Sequence, residues 1–457
     1  MAIGILFIFC LALLLIATEQ WSRMNKAAVA MFAAAACWLL YIMWGTDFVT
    51  SWHAGELKDF LDGRSLTTGA VKDFVANHVF VRYTFEAANV VLFLLATTSI
   101  VEVLNNNGCF DFIHEALYTK YPKRFLWGVA GITFLLSANL DNLTTVCVML
   151  GIMHTLVAER RMRWYFGAVI VLAANCGGAF TVIGDTTSLA IWSKSLVTPT
   201  HYSGMIVLPA LLTLLTVCFL IHRRMPRTMQ LVRTLPPYRG DDTILNRWQR
   251  ALMLLVGIGG LWFIPTFHRL THLPAFLGAL CVLGVLWIVN ELCNRKLLRS
   301  DVNVSKRLPL ALQYQNVQNL LFFIGMTLAV GAVNECGVLP TLQNFAEAHS
   351  SNVYVLGAAS AAASSVFGNV PILLGNMATF AQGAAEGSHY AADGIFWPLL
   401  SYCTAVGGSM LTLGTMGGFA LWRMEGIQLR WYIRHILPKV LIGFLVGLAI
   451  FFVISIC

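Results

Sequence analysis

The run from about Phe125 to Val157 is apolar, longer than 30 residues, and basic at both ends: Lys120, Lys123 and Arg124 precede it, Arg160, Arg161 and Arg163 follow it. Lys and Arg collect on the cytoplasmic side of membrane proteins, so both ends belong to one face. The chain must enter the bilayer, turn and leave where it came in. Each arm of about 15 residues reaches about 22 Å at 1.5 Å per residue, past the midplane of a ~30 Å hydrocarbon core but short of its far side. The turn falls at Ser137-Ala-Asn-Leu-Asp141-Asn142-Leu-Thr-Thr145. An ionisable group at that depth costs about 2.5–3.5 kcal/mol on insertion scales and marks a functional site. Irregular backbone survives there only if it is buried in protein or lines a watery cavity.

The rest of the chain fits a membrane protein. Hydrophobic residues make up 58% and charged residues 11%, which excludes a water-soluble domain of this length. The net charge of +8 reflects basic cytoplasmic loops and is not a nucleic-acid footprint. Met1–Thr18 lacks a basic n-region and an A-x-A cleavage site, and reads as a retained first span. There is no phosphate loop, haem or flavin motif, so ATP-driven pumping is disfavoured and no cofactor is expected. The 11 cysteines form no C-x-x-C pair, which argues against zinc or a disulfide framework.

Spans are expected at about 2–18, 26–44, 85–105, 125–157, 164–196, 205–222, 249–266, 274–293, 317–336, 353–384, 395–422 and 437–456. The segment 164–196 crosses once but is interrupted at Gly177-Gly178 and Gly184-Asp185, which reads as a broken helix. The segment 353–384 repeats the hairpin argument from the other side, with Asn369 and Pro371 at its tip. The segment 395–422 is broken around Gly407-Gly408 and Gly414. This topology sorts most Lys and Arg to the cytoplasm and leaves both termini external. The loop 45–84 is then an external excursion.

Two halves of the chain match. Val91-Leu-Phe-Leu-Leu95 resembles Leu320-Leu-Phe-Phe-Ile324, and Gly108 meets Gly337, at an offset of 229 residues. Ser137 to Asn142 resembles Ser364 to Asn369 at 227, and Gly177-Gly178 through Gly184 meets Gly407-Gly408 through Gly414 at 230. The expected fold is an all-α polytopic membrane protein of inverted repeats, with re-entrant helical hairpins and discontinuous transmembrane helices. Its expected units are 1–84 (N-terminal spans and external loop), 85–222 (first repeat), 223–316 (basic loops and two linking spans) and 317–457 (second repeat). Such repeats build secondary transporters, with the site at the repeat interface.

Asp141 and Asp185 are the proposed carriers. A hard cation such as Na+ takes oxygen ligands, and Ser137, Asn142, Thr145, Asn175, Asn369 and Ser409 are the neutral ones at hand. Burial disfavours a charged carboxylate, so proton and Na+ can compete for the same oxygens. Glu102 and Glu335 end matching spans, and either is an interfacial acid or part of a proton route. Glu86 and His154 read as structural.

At these residues the chain resembles the NhaD-type sodium/proton antiporters of the ion transporter superfamily, which also holds dicarboxylate and arsenite carriers. The pieces that carry the resemblance are Asp141-Asn-Leu-Thr-Thr145, Asn175-Cys-Gly-Gly178, Ile183-Gly-Asp-Thr-Thr187, Gly368-Asn-Val-Pro371, Gly407-Gly-Ser409, Leu413-Gly414 and, near the start, Met24-Asn-Lys-Ala-Ala28. The resemblance implies exchange of external protons for internal Na+ or Li+ across the inner (cytoplasmic) membrane. It also implies a homodimer, in which a moving transport domain sits beside a scaffold. The chain departs at Gly368, where that family has an acid, which bears on stoichiometry and substrate. The rival readings are an anion carrier on the same fold and an intramembrane enzyme. The enzyme would need a base beside Ser409 that the sequence does not offer.

Overall fold

The computed structural model describes residues 1–63, 65–231, 245–294, 317–349, 352–381 and 387–456. Among these residues the regular elements are all helical. Seven helices are long and apolar enough to cross a membrane, among them Lys26–Trp44, Pro199–His222, Arg247–Thr271, Ala275–Cys293, Val317–Glu335 and Leu437–Ile456. The seventh runs from Thr68 to Asn106, so the expected span 85–105 starts earlier, inside what the sequence suggested was loop. Two further helices of that excursion are Thr46–Trp52 and Ala54–Leu61.

The expected hairpins are present. Hairpin 1 consists of Pro122–Ser137 and Asn142–Leu156, and hairpin 2 of Val353–Phe367 and Asn369–Phe380. Their arms hold 12 to 16 residues, about 18–24 Å, too short to span a ~30 Å core. The tip of hairpin 2 is Gly368, at φ 101°. Pro371 stands just past that tip. It lies in the first turn of the return arm, where a backbone N–H has no intrahelical partner to lose.

Broken helix 1 is Arg160–Ala179 followed by Thr186–Ser193, and broken helix 2 is Phe396–Gly408 followed by Met416–Glu425. The first half of each packs on the outgoing arm of its own repeat's hairpin, and the second half on the return arm of the other repeat's hairpin. Counting a hairpin as no net crossing, the described helices cross five times between the starts of Phe80–Asn106 and Val317–Glu335. The odd number places the two repeats in opposite orientations.

Glycine explains the breaks. A Cβ on Gly177 would lie 2.3 Å from the Phe134 carbonyl oxygen, and one on Gly184 would lie 2.6 Å from that of Ser137. The mates repeat this, with Gly407 2.4 Å from the Ala361 oxygen and Gly414 2.5 Å from that of Ser364. Each hairpin backbone thus lies directly against the break of its broken helix. A serine pins each junction: Ser137 Oγ donates to the Ala174 carbonyl and Ser364 Oγ to that of Thr404, both at 2.7 Å. The sequence repeat is therefore also a repeat of contacts.

Lys26–Trp44, Phe80–Asn106, Arg247–Thr271, Ala275–Cys293 and Val317–Glu335 pack on one another beside these elements. Trp38 Nε1 donates to the Leu328 carbonyl at 2.8 Å, and Asn107 to Asn290 Oδ1 at 2.8 Å.

Candidate functional site

Each break frees backbone groups at two half-helix ends, and these groups need partners. Tyr202 OH donates to the Ala179 carbonyl at the end of one first half, at 2.8 Å. Tyr432 OH does the same for Ser409 at the end of the other, also at 2.8 Å. At the N-terminal ends, the first repeat uses carboxylates. Asp141 caps Asn142–Leu156, its Oδ2 accepting from the Thr144 amide at 3.3 Å. Asp185 caps Thr186–Ser193 in a reciprocal box with Ser188. A carboxylate at a helix N-terminus is favoured by the helix dipole, which helps to hold two acids at depth.

The two acids are 4% and 2% exposed, and Asp185 lies within electrostatic reach of Asp141. Asn142 Nδ2 donates to Asp185 Oδ1 at 3.0 Å and to Asn175 Oδ1 at 3.1 Å. Asn175 Nδ2 donates to Ser409 Oγ at 2.7 Å. Thr187 Oγ1 donates to Asp185 Oδ2 at 2.6 Å. One chain of polar side chains therefore runs from hairpin 1 through broken helix 1 into broken helix 2. Asp141 Oδ1 and Thr145 Oγ1 are buried without a hydrogen-bond partner. Buried orphan oxygens of this kind are uncommon and suit an ion or a water.

Not every expected residue joins this chain. Ser137 is used in packing, as described above. Asn369 Oδ1 accepts from the amide of Val370 at 3.0 Å, so it organises the start of its own helix. Glu335 is 2% exposed and is held by His53 Nε2 at 2.6 Å, Tyr83 OH at 2.6 Å and Arg82 Nη2 at 3.0 Å. It ties Phe80–Asn106, and the segment before it, to Val317–Glu335. Glu102 is half-buried in Phe80–Asn106. Glu86 forms an ion pair with Lys194 at 2.8 Å. His154 Nδ1 lies 2.8 Å from Glu425, whose other oxygen accepts from Arg163 Nε at 2.7 Å. That buried Glu425 fastens broken helix 2 to the foot of hairpin 1, and sequence reasoning missed it.

Sequence reasoning also missed Glu19, Gln20 and Lys26. Lys26 is 8% exposed and faces the tip of hairpin 2 across a small cavity. Its signal, a lysine at the start of an apolar helix, is one that many surface lysines share.

Opposed repeats with carboxylate-capped half-helices at their interface define a secondary membrane transporter. Comparison with known proteins places the chain more closely. Residues 11–407 match the family described as "Citrate transporter", CitMHS. The chain belongs to that family and, within the ion transporter superfamily, to its NhaD-type branch. It is 31% identical over 366 residues to "Sodium/proton antiporter 2" of Arabidopsis thaliana, covering 80% of this chain and 85% of that one. A match of equal identity to "Sodium/proton antiporter 1" of the same plant spans only 62% of that protein's length. The identity to "Na(+)/H(+) antiporter NhaD" of Alkalimonas amylolytica is 25% over 484 residues, covering 97% and 88%. The YdaH transporter of Alcanivorax borkumensis shares the fold, with a TM-score of 0.55 and 13% identity over 82% of this chain and 87% of that one.

Proposed function

We propose that this protein exchanges Na+ or Li+ for H+ across the cytoplasmic membrane, and that cation and proton compete for Asp141 and Asp185. The observation that carries this reading is the pair of buried carboxylates whose hydrogen bonds come from amides and hydroxyls. Two such carboxylates, with no basic partner among the described residues, favour a cation or a proton as counter-charge. Asn142, Asn175, Thr145 and Ser409 supply or orient neutral oxygens, and Asp141 Oδ1 offers an open ligand position. The relatives named sodium/proton antiporters favour the same reading.

Alternating access follows if the hairpins and broken helices move together against the remaining helices. The polar chain and the Glu425 tie hold the moving elements to one another. The Glu335 tie holds two of the outer helices together. The proposal includes a homodimer with both termini outside the cell. Arg247–Thr271 and Ala275–Cys293, only 22% and 28% buried over their most apolar windows, offer the apolar face for it.

A second reading, an anion carrier on the same fold, is favoured by Gly368 at the second tip and by the family's citrate-transporting members. One experiment separates the two. Purified protein is placed in liposomes with an acid interior and a pH dye, and Na+, Li+, K+ or citrate is added outside. Antiport predicts that Na+ or Li+ alone collapses the gradient. A response to citrate, with none to any cation, would establish the anion carrier.

A further inference from the structure

The two repeats treat their half-helix N-termini differently. In the first repeat both caps are acids, Asp141 and Asp185. In the second, the matching caps are Gly368 and Thr415. Both N-termini, which have no acid at the cap, open on one cavity of about 30 Å³, lined also by Glu19 and Lys26. A space of that size holds about a water or an ion.

Glu19 comes from the short connection between Ala2–Ala17 and Lys26–Trp44, and Lys26 is the first residue of the latter helix. Lys26 Nζ lies 3.8 Å from Glu19 Oε2, beyond hydrogen-bond length. It lies 5.5 Å from the Phe322 ring centroid and 5.2 Å from that of Phe419. Phe322 belongs to Val317–Glu335 and Phe419 to broken helix 2, so the ammonium sits between the outer helices and the proposed moving unit. Lys26 also occupies the first turn of its own helix, the end where the dipole disfavours a cation. Gln20 Nε2 donates to Thr412 Oγ1 at 3.3 Å, which fastens the connection to the break of broken helix 2. Burial pushes the Glu19 carboxyl above its ordinary value, in spite of Lys26 and the more distant Arg423.

We propose that Glu19 supplies, from outside the repeats, the carboxylate that the second half-site lacks, and that Lys26 is its resident counter-cation, displaced when a proton or transported cation enters. The proposal rests on the antiport reading. It makes Glu19 an ion-coupling residue and Lys26 a competitor for the same oxygens. A purely structural ion pair would affect folding alone.

The test is made on the full chain in liposomes. The Na+ gradient that just balances a fixed pH gradient gives the protons exchanged per Na+, and initial rates give the half-saturating Na+. Glu19→Gln is expected to exchange one proton fewer per Na+. Lys26→Gln is expected to lower half-saturating Na+ roughly fivefold or more, because a like charge about 4 Å away is gone. Unchanged stoichiometry in folded Glu19→Gln, or unchanged half-saturation in Lys26→Gln, would overturn the proposal. If Glu19→Gln does not fold, Glu19→Gln/Lys26→Gln, which leaves no unpaired charge, gives the stoichiometry. If the parent protein exchanges no cation, the antiport reading fails and this proposal fails with it.

Discussion

Asn142 Nδ2 stands 3.0 Å from Asp185 Oδ1 and 3.1 Å from Asn175 Oδ1, so one amide bridges the tip of hairpin 1 to both sides of the break in broken helix 1. Asn142→Ala takes a donor from two buried oxygens. A hydrogen bond to a charged group contributes about 1.5–3 kcal/mol, so half-saturating Na+ should rise by about tenfold or more. Titration of transport against Na+ checks this, and an unchanged value would place Asn142 outside the site.

Gly184 and Gly414 should be equally intolerant of a side chain. Alanine at either would press a methyl to within 2.6 Å or 2.5 Å of a hairpin carbonyl oxygen, where the atom to be displaced is backbone. Overpacking of this kind costs about 1–3 kcal/mol. Both variants should melt well below the parent in detergent. Gly204→Ala is the control, because nothing lies within 4 Å of its Cβ position.

Gly368 cannot simply be returned to an acid. Its φ of 101° and ψ of 153° fall in a region almost confined to glycine, where another residue costs about 1–3 kcal/mol. Gly368→Ala and Gly368→Asp should therefore lower the melting temperature by similar amounts. Only the aspartate should change the charge moved per cycle. Equal currents from the two would put this position outside the site.

The hairpins and breaks were legible in sequence because they answer to strong constraints. Basic residues flank both ends of 125–157, and glycine pairs recur at one spacing. Asp141 and Asp185 were legible because a carboxylate at depth has few structural uses. The Asn142–Asn175–Ser409 chain was not, since an asparagine does not reveal which partner it faces across the repeats. Lys26 was not singled out for a physical reason: a lysine at a helix start normally reaches water, and only the fold shows it between Phe322 and Phe419. The helices within 45–84 were missed because mixed charge and scattered apolar residues resemble a loop.

The tie between His53 and Glu335 should depend on pH. The hydrogen bond to Glu335 is the main cause that lifts the His53 imidazole above its ordinary value, with Glu56 adding to it. Arg82, which shares Glu335, stays charged throughout. A raised value means that the fold favours protonated His53. Its contribution is then complete below the unfolded value of about 6.5 and disappears as pH rises through the raised one. The melting difference between the parent and His53→Gln should be largest near about pH 6 and shrink toward about pH 9. A difference constant across that range would mean that His53 contributes by packing alone.

The central claim is that Na+ and H+ share Asp141 and Asp185. The most direct measurement is the initial rate of exchange in liposomes against Na+ concentration at several pH values, for the parent and for Asp141→Asn. A shared site predicts that half-saturating Na+ rises as pH falls while the maximal rate stays constant, and that Asp141→Asn loses exchange. Half-saturation that ignores pH, or an Asp141→Asn variant that exchanges at the full rate, would contradict it.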